Sequence, residues 1–430
     1  INGRKGRNTV MKILVIGGGG REHAVIRKLM ESSRVDKIYC APGNGGIGCD
    51  AENVPIQAMD TAGIVNFAKK NGIGLVCVTP DDPLAAGMVD ALEAAGIPAF
   101  GPNRAAAQIE ASKVFSKNLM KKYHIPTADY CVFDNPKDPL AYIQKQGRFP
   151  VVIKADGLAL GKGVIIAQNL KEAESAVKTI MEDKVFGASG NKVVVEEFLT
   201  GPEVSVLGFT DGKTLKPMVS SKDHKRALDG NKGKNTGGMG TISPNPFYTE
   251  AIAEECMQTI FLPTLKAMNA EGRPFKGCLY FGLMLTPDGP KVIEYNSRFG
   301  DPEAQVVLPR LKTDLVDIFE ATINGTLDQI DIQWKKDACA CVILASGGYP
   351  GSYQKGMEIH GLDEHGQVEG ATIYHAGTIK KGNKFYTNGG RVLGVTCAAG
   401  TLEEALQKAY AAVDKITWNG MQYRHDIGKV

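Results

Sequence analysis

No apolar run in this chain approaches the roughly 18 residues that a helical membrane span requires, and no secretory signal precedes its first strand-like segment. Nothing repeats, and no tract is of low complexity. The nine cysteines are an odd, scattered set without a Cys-x-x-Cys pair, which fits reduced thiols in a cytoplasmic protein better than a disulfide framework. Cys339 and Cys341, the one close pair, share a face of an expected strand and read as core packing. Bulk positive charge is missing as well. The formal net charge of +3 is carried by Arg4, Lys5 and Arg7 within Ile1–Val10, a segment with no acid and no apolar core. It reads as a leader appended to the fold, and the remainder, neutral overall, offers no electrostatic footprint for nucleic acid. What is present is an ordinary composition, 43% hydrophobic and 23% charged, in 430 residues, enough for two to four packed domains.

From Met11 onward, strands and helices alternate. Met11–Ile16 reads as a strand, Gly17–Gly20 as a glycine loop, Glu22–Glu31 as a helix, Lys37–Cys40 as a strand and Pro42–Gly46 as a loop. Thr61–Asn71 (helix), Leu75–Thr79 (strand) and Leu84–Ala95 (helix) continue the pattern. It predicts a doubly wound parallel sheet with ligands at the carboxyl ends of its strands. A nicotinamide dinucleotide site is excluded twice. The glycine run passes into Arg21-Glu22-His23-Ala24 without the third glycine, and Cys40-Ala41 stands where a ribose-binding acid belongs. A single phosphate can still sit on free N–H groups at such a loop; a plain strand-to-helix turn fits equally well.

Further along, Pro150–Gly157 and Val164–Ala167 read as strands joined by Leu158–Gly163. This is not a Walker loop: Gly157 to Gly161-Lys162 is one residue short, and Gly163 replaces the Ser or Thr that would hold Mg²⁺. A glycine loop between strands reads as a flap over phosphates, with Lys154 and Lys162 facing the phosphate chain. Ser112-Lys113 opens a helix to about Tyr123. Val193–Leu199 reads as a strand, ahead of a Thr200-Gly201-Pro202 turn and Glu203. Its backbone could read an adenine edge and the carboxylate a ribose, although a core strand with a polar exit has the same pattern. Asp223-His224-Lys225-Arg226 and Lys232–Gly240 form a cationic, glycine-rich stretch expected to be a mobile loop that wraps an anion. His224 has no second His at ligand spacing and is excluded as a metal ligand.

The most informative stretch runs from Val292 to Glu303, after a Pro287-Asp288-Gly289 hairpin turn. Alternation on a strand puts Glu294, Asn296 and Arg298 on one face. A carboxylate beside an amide oxygen suits Mg²⁺, which keeps waters and substrate phosphates as its other ligands. The arginine fork suits a phosphoryl oxygen or a carboxylate, although the pattern taken alone is more often a solvated sheet face. No Ser-His-Asp set accompanies it. Towards the C-terminus, Ala338–Ala345 and Val392–Cys397 read as strands, and Thr401–Thr417 as a helix capped by Thr401 with Ala405, Ala409, Ala412, Val413 and Ile416 inward. His375 reads as structural.

Val152–Val164 (VIKADGLALGKGV), Glu196–Ser205 (EEFLTGPEVS), Asp223–Arg226, Asn235–Gly240 (NTGGMG) and Glu294–Glu303 (EYNSRFGDPE), in that order, closely resemble the glycinamide ribonucleotide synthetase family. These are ATP-grasp ligases of purine biosynthesis, and the resemblance spans Met11 to Val430. It implies an α/β and α+β multidomain chain: a Rossmann-like doubly wound domain (11–111), an ATP-grasp clamp (112–330, lid about 135–195) and a C-terminal mixed-sheet domain (335–430). It implies Lys113, Lys154, Lys225 and Arg226 at the ATP phosphates, under the flap residues Gly161, Lys162 and Gly163. Glu196, Glu197, Phe198 and Leu199 become the adenine hinge and Glu203 the ribose carboxylate. Glu294 and Asn296 become ligands of Mg²⁺ or Mn²⁺, with Arg298, Lys154 and Asp301 in catalysis. Gly19, Arg21, Glu22, Asp81, Asn235, Thr236, Gly237, Gly238, Asp301 and Arg391 become substrate contacts, Asp301 for an ammonium or amine. Thr79-Pro80-Asp81 departs from the family's Gly-Pro-Glu and puts a shorter acid there.

The implied reaction joins glycine to 5-phosphoribosylamine at the expense of ATP, by a monomer or homodimer. Two rivals remain: another ATP-grasp ligase or carboxylase with a different acceptor, and a non-catalytic nucleotide-binding regulator. Retention of Glu294, Asn296, Arg298 and the flap glycines speaks against the second.

Overall fold

The computed structural model describes residues 10–158 and 163–429. Its first sheet is parallel and five-stranded, in the order Glu52–Asn53, Val35–Pro42, Met11–Gly17, Ile73–Val78, Ala99–Phe100. Ile13 to Ile16 are fully buried on both faces, as a strand covered by helices on either side requires. Thr61–Asn71 is a helix capped by Asp60, as expected. The expected helix over Leu84–Ala95 is instead two, Asp81–Ala86 and Met88–Ala94. Gly87 between them has φ +92, a left-handed conformation that only glycine takes without strain.

The middle of the chain supplies two antiparallel sheets. Tyr130–Phe133, Val193–Glu197, Val151–Ala155 and Val164–Ala167 form one, with Lys137–Gln146 and Leu170–Val177 packed on it through Ile143, Ala173 and Ala176. Leu215–Pro217, Glu203–Asp211, Lys276–Thr286 and Gly289–Asn296 form the other. The last two strands are the expected hairpin. Its register slips opposite Gly282 and Leu283, leaving Ile293 as an extra residue next to Glu294.

The C-terminal sheet is not built from C-terminal residues alone. Lys222–Asp223 and Gly240–Ser243 pair ahead of Ala338–Ser346, Arg391–Ala399 and Thr372–His375. The stretch read as a mobile loop is therefore rooted in a sheet at both ends. Between the roots it folds into a hairpin, Arg226–Leu228 against Lys232–Asn235. The helix Leu402–Val413 packs Ala405, Ala409, Ala412 and Val413 inward, with Thr401 as N-cap. His375 is fully buried, its ring nitrogens bonded to the Thr378 hydroxyl and the Gly366 carbonyl, and burial first, then His23, pushes it down to about 3. Among the described residues no helix is long and apolar enough to cross a membrane.

Candidate active site

The three regions surround one cavity of about 1050 Å³. On its floor, the strand Gly289–Asn296 presents Glu294 and Asn296. Arg298 lies two residues beyond that strand rather than on it, so its approach to the pair comes from the chain's turn and not from the pleat. Its Nη2 donates to the Asn296 amide oxygen at 3.3 Å and pairs with Glu110 at 2.9 Å. Glu110, in the last turn of the helix Arg104–Ala111, also accepts the Ser297 N–H and hydroxyl at 2.7 and 2.8 Å. Arg298 Nε is buried without a hydrogen-bond partner.

Three ammonium groups converge on Glu294. Lys225 lies 3.4 Å away. Lys154 donates to the Ile293 carbonyl at 3.1 Å, the residue extruded by the bulge, and pairs with Glu196 at 3.0 Å. Lys113 donates to the Gly157 carbonyl at 2.8 Å. Burial pushes the Glu294 carboxyl upward, but Lys225, Lys154 and Lys113 outweigh it and hold it at about 2. It is a carboxylate at any physiological pH, with an amide oxygen beside it. Among the described residues no cluster of three or more His, Cys, Asp or Glu side chains forms a complete cation cage. An incomplete pair of hard oxygens fits a Mg²⁺-like ion that brings phosphate and water ligands with it.

The sequence reading gave Lys154 to phosphate and Glu196 to adenine. The structure ties them to each other: the Glu196 carboxylate is buried between Lys154 and Lys117, the latter at 3.2 Å. Glu196 Oε1 has no hydrogen-bond partner. Its backbone lies within the ladder, which ends at Glu197 and leaves Phe198 and Leu199 free of it. Glu203 opens the next strand with its side chain exposed at the cavity. Gly163 lines the same wall; Gly161 and Lys162 lie outside the described residues. Arg226 reaches the rim, where it donates to Gly233 within its own hairpin.

At the opposite end Gly19 N–H, read as free for phosphate, instead donates to Glu22 at 2.6 Å. Glu22 is the N3 residue and reaches back to the N-cap N–H, one half of a capping box, so the helix already carries an anion at its start. Gly19, Glu22 and Gly238 are not in the cavity lining, whereas Arg21, Asp81, Asn235, Thr236, Gly237, Asp301 and Arg391 are. Arg21 pairs with Glu22 at 2.6 Å. Arg391 donates to the carbonyls of Gly237 and Asp301 at 2.7 and 2.8 Å. Burial raises Asp301, but Arg391 and Arg21 more than reverse it.

The chain that builds this cavity is similar to known proteins along almost its whole length. Models of the phosphoribosylglycinamide synthetase N domain, ATP-grasp (A) domain and C domain match residues 11–110, 111–304 and 339–430. The chain belongs to the phosphoribosylglycinamide synthetase family. A phosphoribosylamine–glycine ligase of Caldanaerobacter subterraneus subsp. tengcongensis is 48% identical over 417 residues, covering 97% of this chain and 99% of that one. The crystal structure of a Thermotoga maritima phosphoribosylamine–glycine ligase superposes with a TM-score of 0.83 at 32% identity, covering 96% and 99%. The biotin carboxylase domain of Hydrogenobacter thermophilus 2-oxoglutarate carboxylase, solved with MgADP and bicarbonate, shares the fold at 16% identity, with a TM-score of 0.71 and coverage of 97% and 92%.

Within this synthetase site several residues escaped the sequence reading. Lys117 had a signal, one helical turn after Lys113 on the same face. Glu110 and Tyr280 had none. Asp223 was weighed only as a neighbour of His224. That histidine is buried, with Nδ1 donating to Gly240 and Nε2 accepting from Gly428 N–H. Glu303 is buried and accepts from the Tyr280 hydroxyl at 3.1 Å and the Ser205 hydroxyl at 3.4 Å. Burial first, then the charge of Glu303, pushes the Asp223 carboxyl well above the usual range.

Proposed function

We propose that this chain is a phosphoribosylamine–glycine ligase that forms glycinamide ribonucleotide, ADP and phosphate through glycyl phosphate. The observation that carries the reading is the convergence of Lys113, Lys154 and Lys225 on the Glu294–Asn296 pair, with Arg298 alongside. A carboxylate is a poor electrophile, so a glycine oxygen must first take the γ-phosphoryl group, breaking its bond to ADP. At about 3.5 Å and an effective dielectric near 20, each pair of opposed unit charges costs roughly 5 kcal/mol. Lys154, Lys113 and Arg298 supply counter-charge where the two anions meet. Mg²⁺ or Mn²⁺ held by Glu294 and Asn296 would neutralise phosphate charge in the same place. The amine nitrogen then attacks the acyl carbon, and phosphate departs with the former glycine oxygen. Phe198 and Leu199 would read adenine, Glu203 the ribose, and Gly163 with the rest of the flap would exclude water from the acyl phosphate.

The far wall, with Arg21, Asp81 and Arg391, would take the ribosyl phosphate. Asp301 is already compensated by two arginines, which makes it a poor seat for glycine's ammonium. Asp223 and Glu303 are the better candidates, since their mutual repulsion falls when a cation arrives. Nine free cysteines favour a reducing compartment such as the cytoplasm. The deciding experiment supplies glycine labelled with ¹⁸O in its carboxylate. Label in the released phosphate, only when glycine, ATP and the amine are all present, is the expected result; phosphate release without glycine would point to a different acid.

A further inference from the structure

His23 is fully buried, two residues after Arg21 on the first helix, and has no place in the chemistry above. Its ring joins two distant parts of the chain. Nδ1 accepts the backbone N–H of His375 at 2.8 Å, and Nε2 lies 2.8 Å from Asp50, which Arg27 holds at 2.7 Å. A backbone N–H can only donate, so Nδ1 is bare and Nε2 carries the proton. The carbonyl of the same residue, His375, accepts from the Asn44 amide at 2.8 Å, and that amide also donates to the Gly18 carbonyl at 2.9 Å. Both polar backbone groups of His375 are thus held by the N-terminal domain. The fit is close: a Cβ on Gly46 would collide with the His375 ring.

His375 ends the strand Thr372–His375, which pairs with the strand that begins at Arg391. Gly377 N–H, two residues on, donates to the Arg391 carbonyl at 3.0 Å. A short rigid path therefore runs from Arg21 through His23 and the His375 peptide to Arg391. Its two ends meet again across Asp301, which accepts from the Arg21 N–H at 3.4 Å and pairs with Arg391 at 3.5 Å.

We infer that His23 and Asn44 are positioning residues. They clasp the His375 peptide and so fix the gap between Arg21 and Arg391, into which the phosphorylated ribosyl acceptor fits. The inference rests on the reading that this wall takes the ribosyl substrate. Side-chain geometry gives a direct test. Asn at 23 can place an oxygen where Nδ1 was but cannot reach Asp50; Gln can reach Asp50 but leaves the His375 N–H buried and unpaired. With phosphoribosylamine formed in situ from ribose 5-phosphate and ammonia, H23Q should raise the KM for the ribosyl substrate about tenfold, the scale of one orphaned buried donor. Its kcat and its KM for ATP and glycine should stay within about twofold, and H23N should stay within about threefold of the parent throughout. A residue that merely fills space would give equal effects in H23N and H23Q, and that result, or equal rises in all three KM values, overturns the clasp. R391A is measured in parallel. If R391A raises the ribosyl KM and H23Q does not, the clasp alone is wrong; if neither does, the substrate placement is wrong and the clasp falls with it. Should H23Q fail to fold, N44D keeps the oxygen that caps Gly46 and Ile47 but loses the amide donor. It must then give the same selective rise, and its absence overturns the inference.

Discussion

At the scale of single residues, the site works by placing charges where burial alone would remove them. Glu110 compensates Arg298 and fixes Ser297, so Glu110→Gln keeps an acceptor but leaves the guanidinium underpaired. Expected is a fall in kcat of roughly ten- to a hundredfold with a smaller change in the KM for ATP, checked by steady-state kinetics. Glu294→Gln should abolish metal-dependent turnover while leaving the thermal midpoint close to the parent's. Lys117 gives a pH signature. Burial outweighs Glu196 and pushes its ammonium down to about 8, while an unfolded lysine holds its proton to about 10.4. Between those values the folded chain binds fewer protons, so stability gains as pH rises through the window and the penalty is fully present below it. Lys117→Met should remove that gain, read as the difference in urea midpoint between parent and variant on either side of the window.

Elements were legible where local pattern decides them and illegible where a distant strand does. Thr61–Asn71, Val164–Ala167 and the hairpin around Pro287-Asp288 follow from periodicity, caps and turn residues. The bulge at Ile293, which aims a carbonyl at Lys154, depends on register against Gly282 and Leu283, and no residue at 293 announces it. The loop reading took in Asp223 and Gly240 because the strands they belong to, Lys222–Asp223 and Gly240–Ser243, are too short to declare themselves; pairing with one another and with Ala338–Ser346 makes them strands. Glu22 could have been placed by its spacing from Gly19, since an N3 carboxylate reaching back to the N-cap N–H is a local contact. Gly87 splits a helix that the apolar pattern would carry straight through. Gly87→Ala should cost about 1–2 kcal/mol, the price of a left-handed alanine, with turnover unchanged, as measured by chemical denaturation.

For the whole molecule, the Glu294–Asn296 pair and each family motif were readable because each lies in one short stretch, whereas the approach of Asp223 to Glu303 joins the ends of two such stretches far apart in sequence. The sheet built from Tyr130–Phe133, Val151–Ala155, Val164–Ala167 and Val193–Glu197 meets the rest of the site through a set of polar contacts across a gap: Lys113 to Gly157, Ser112 and Val114 to Asp156, Lys117 to Glu196 and Lys154 to Ile293. ATP with Mg²⁺ should bridge that gap and slow amide exchange across residues 130–197 by at least about tenfold, with little change in the sheet containing Met11–Gly17. Uniform protection across the chain would argue against a separately moving lid.

Beyond the Asp223–Thr241 pair, His224 N–H still donates to the Gly240 carbonyl and Met239 N–H to the His224 carbonyl, so the ladder runs past Asp223 before the cationic hairpin departs. Asp223 is thereby anchored in the C-terminal sheet, and a swing of the hairpin about a hinge beyond it would leave the acid in place. On the proposed assignment, choosing the amino acid and sealing the chamber become separate events: glycine can be sampled and rejected against a stationary wall, and the cover commits only what has already been accepted.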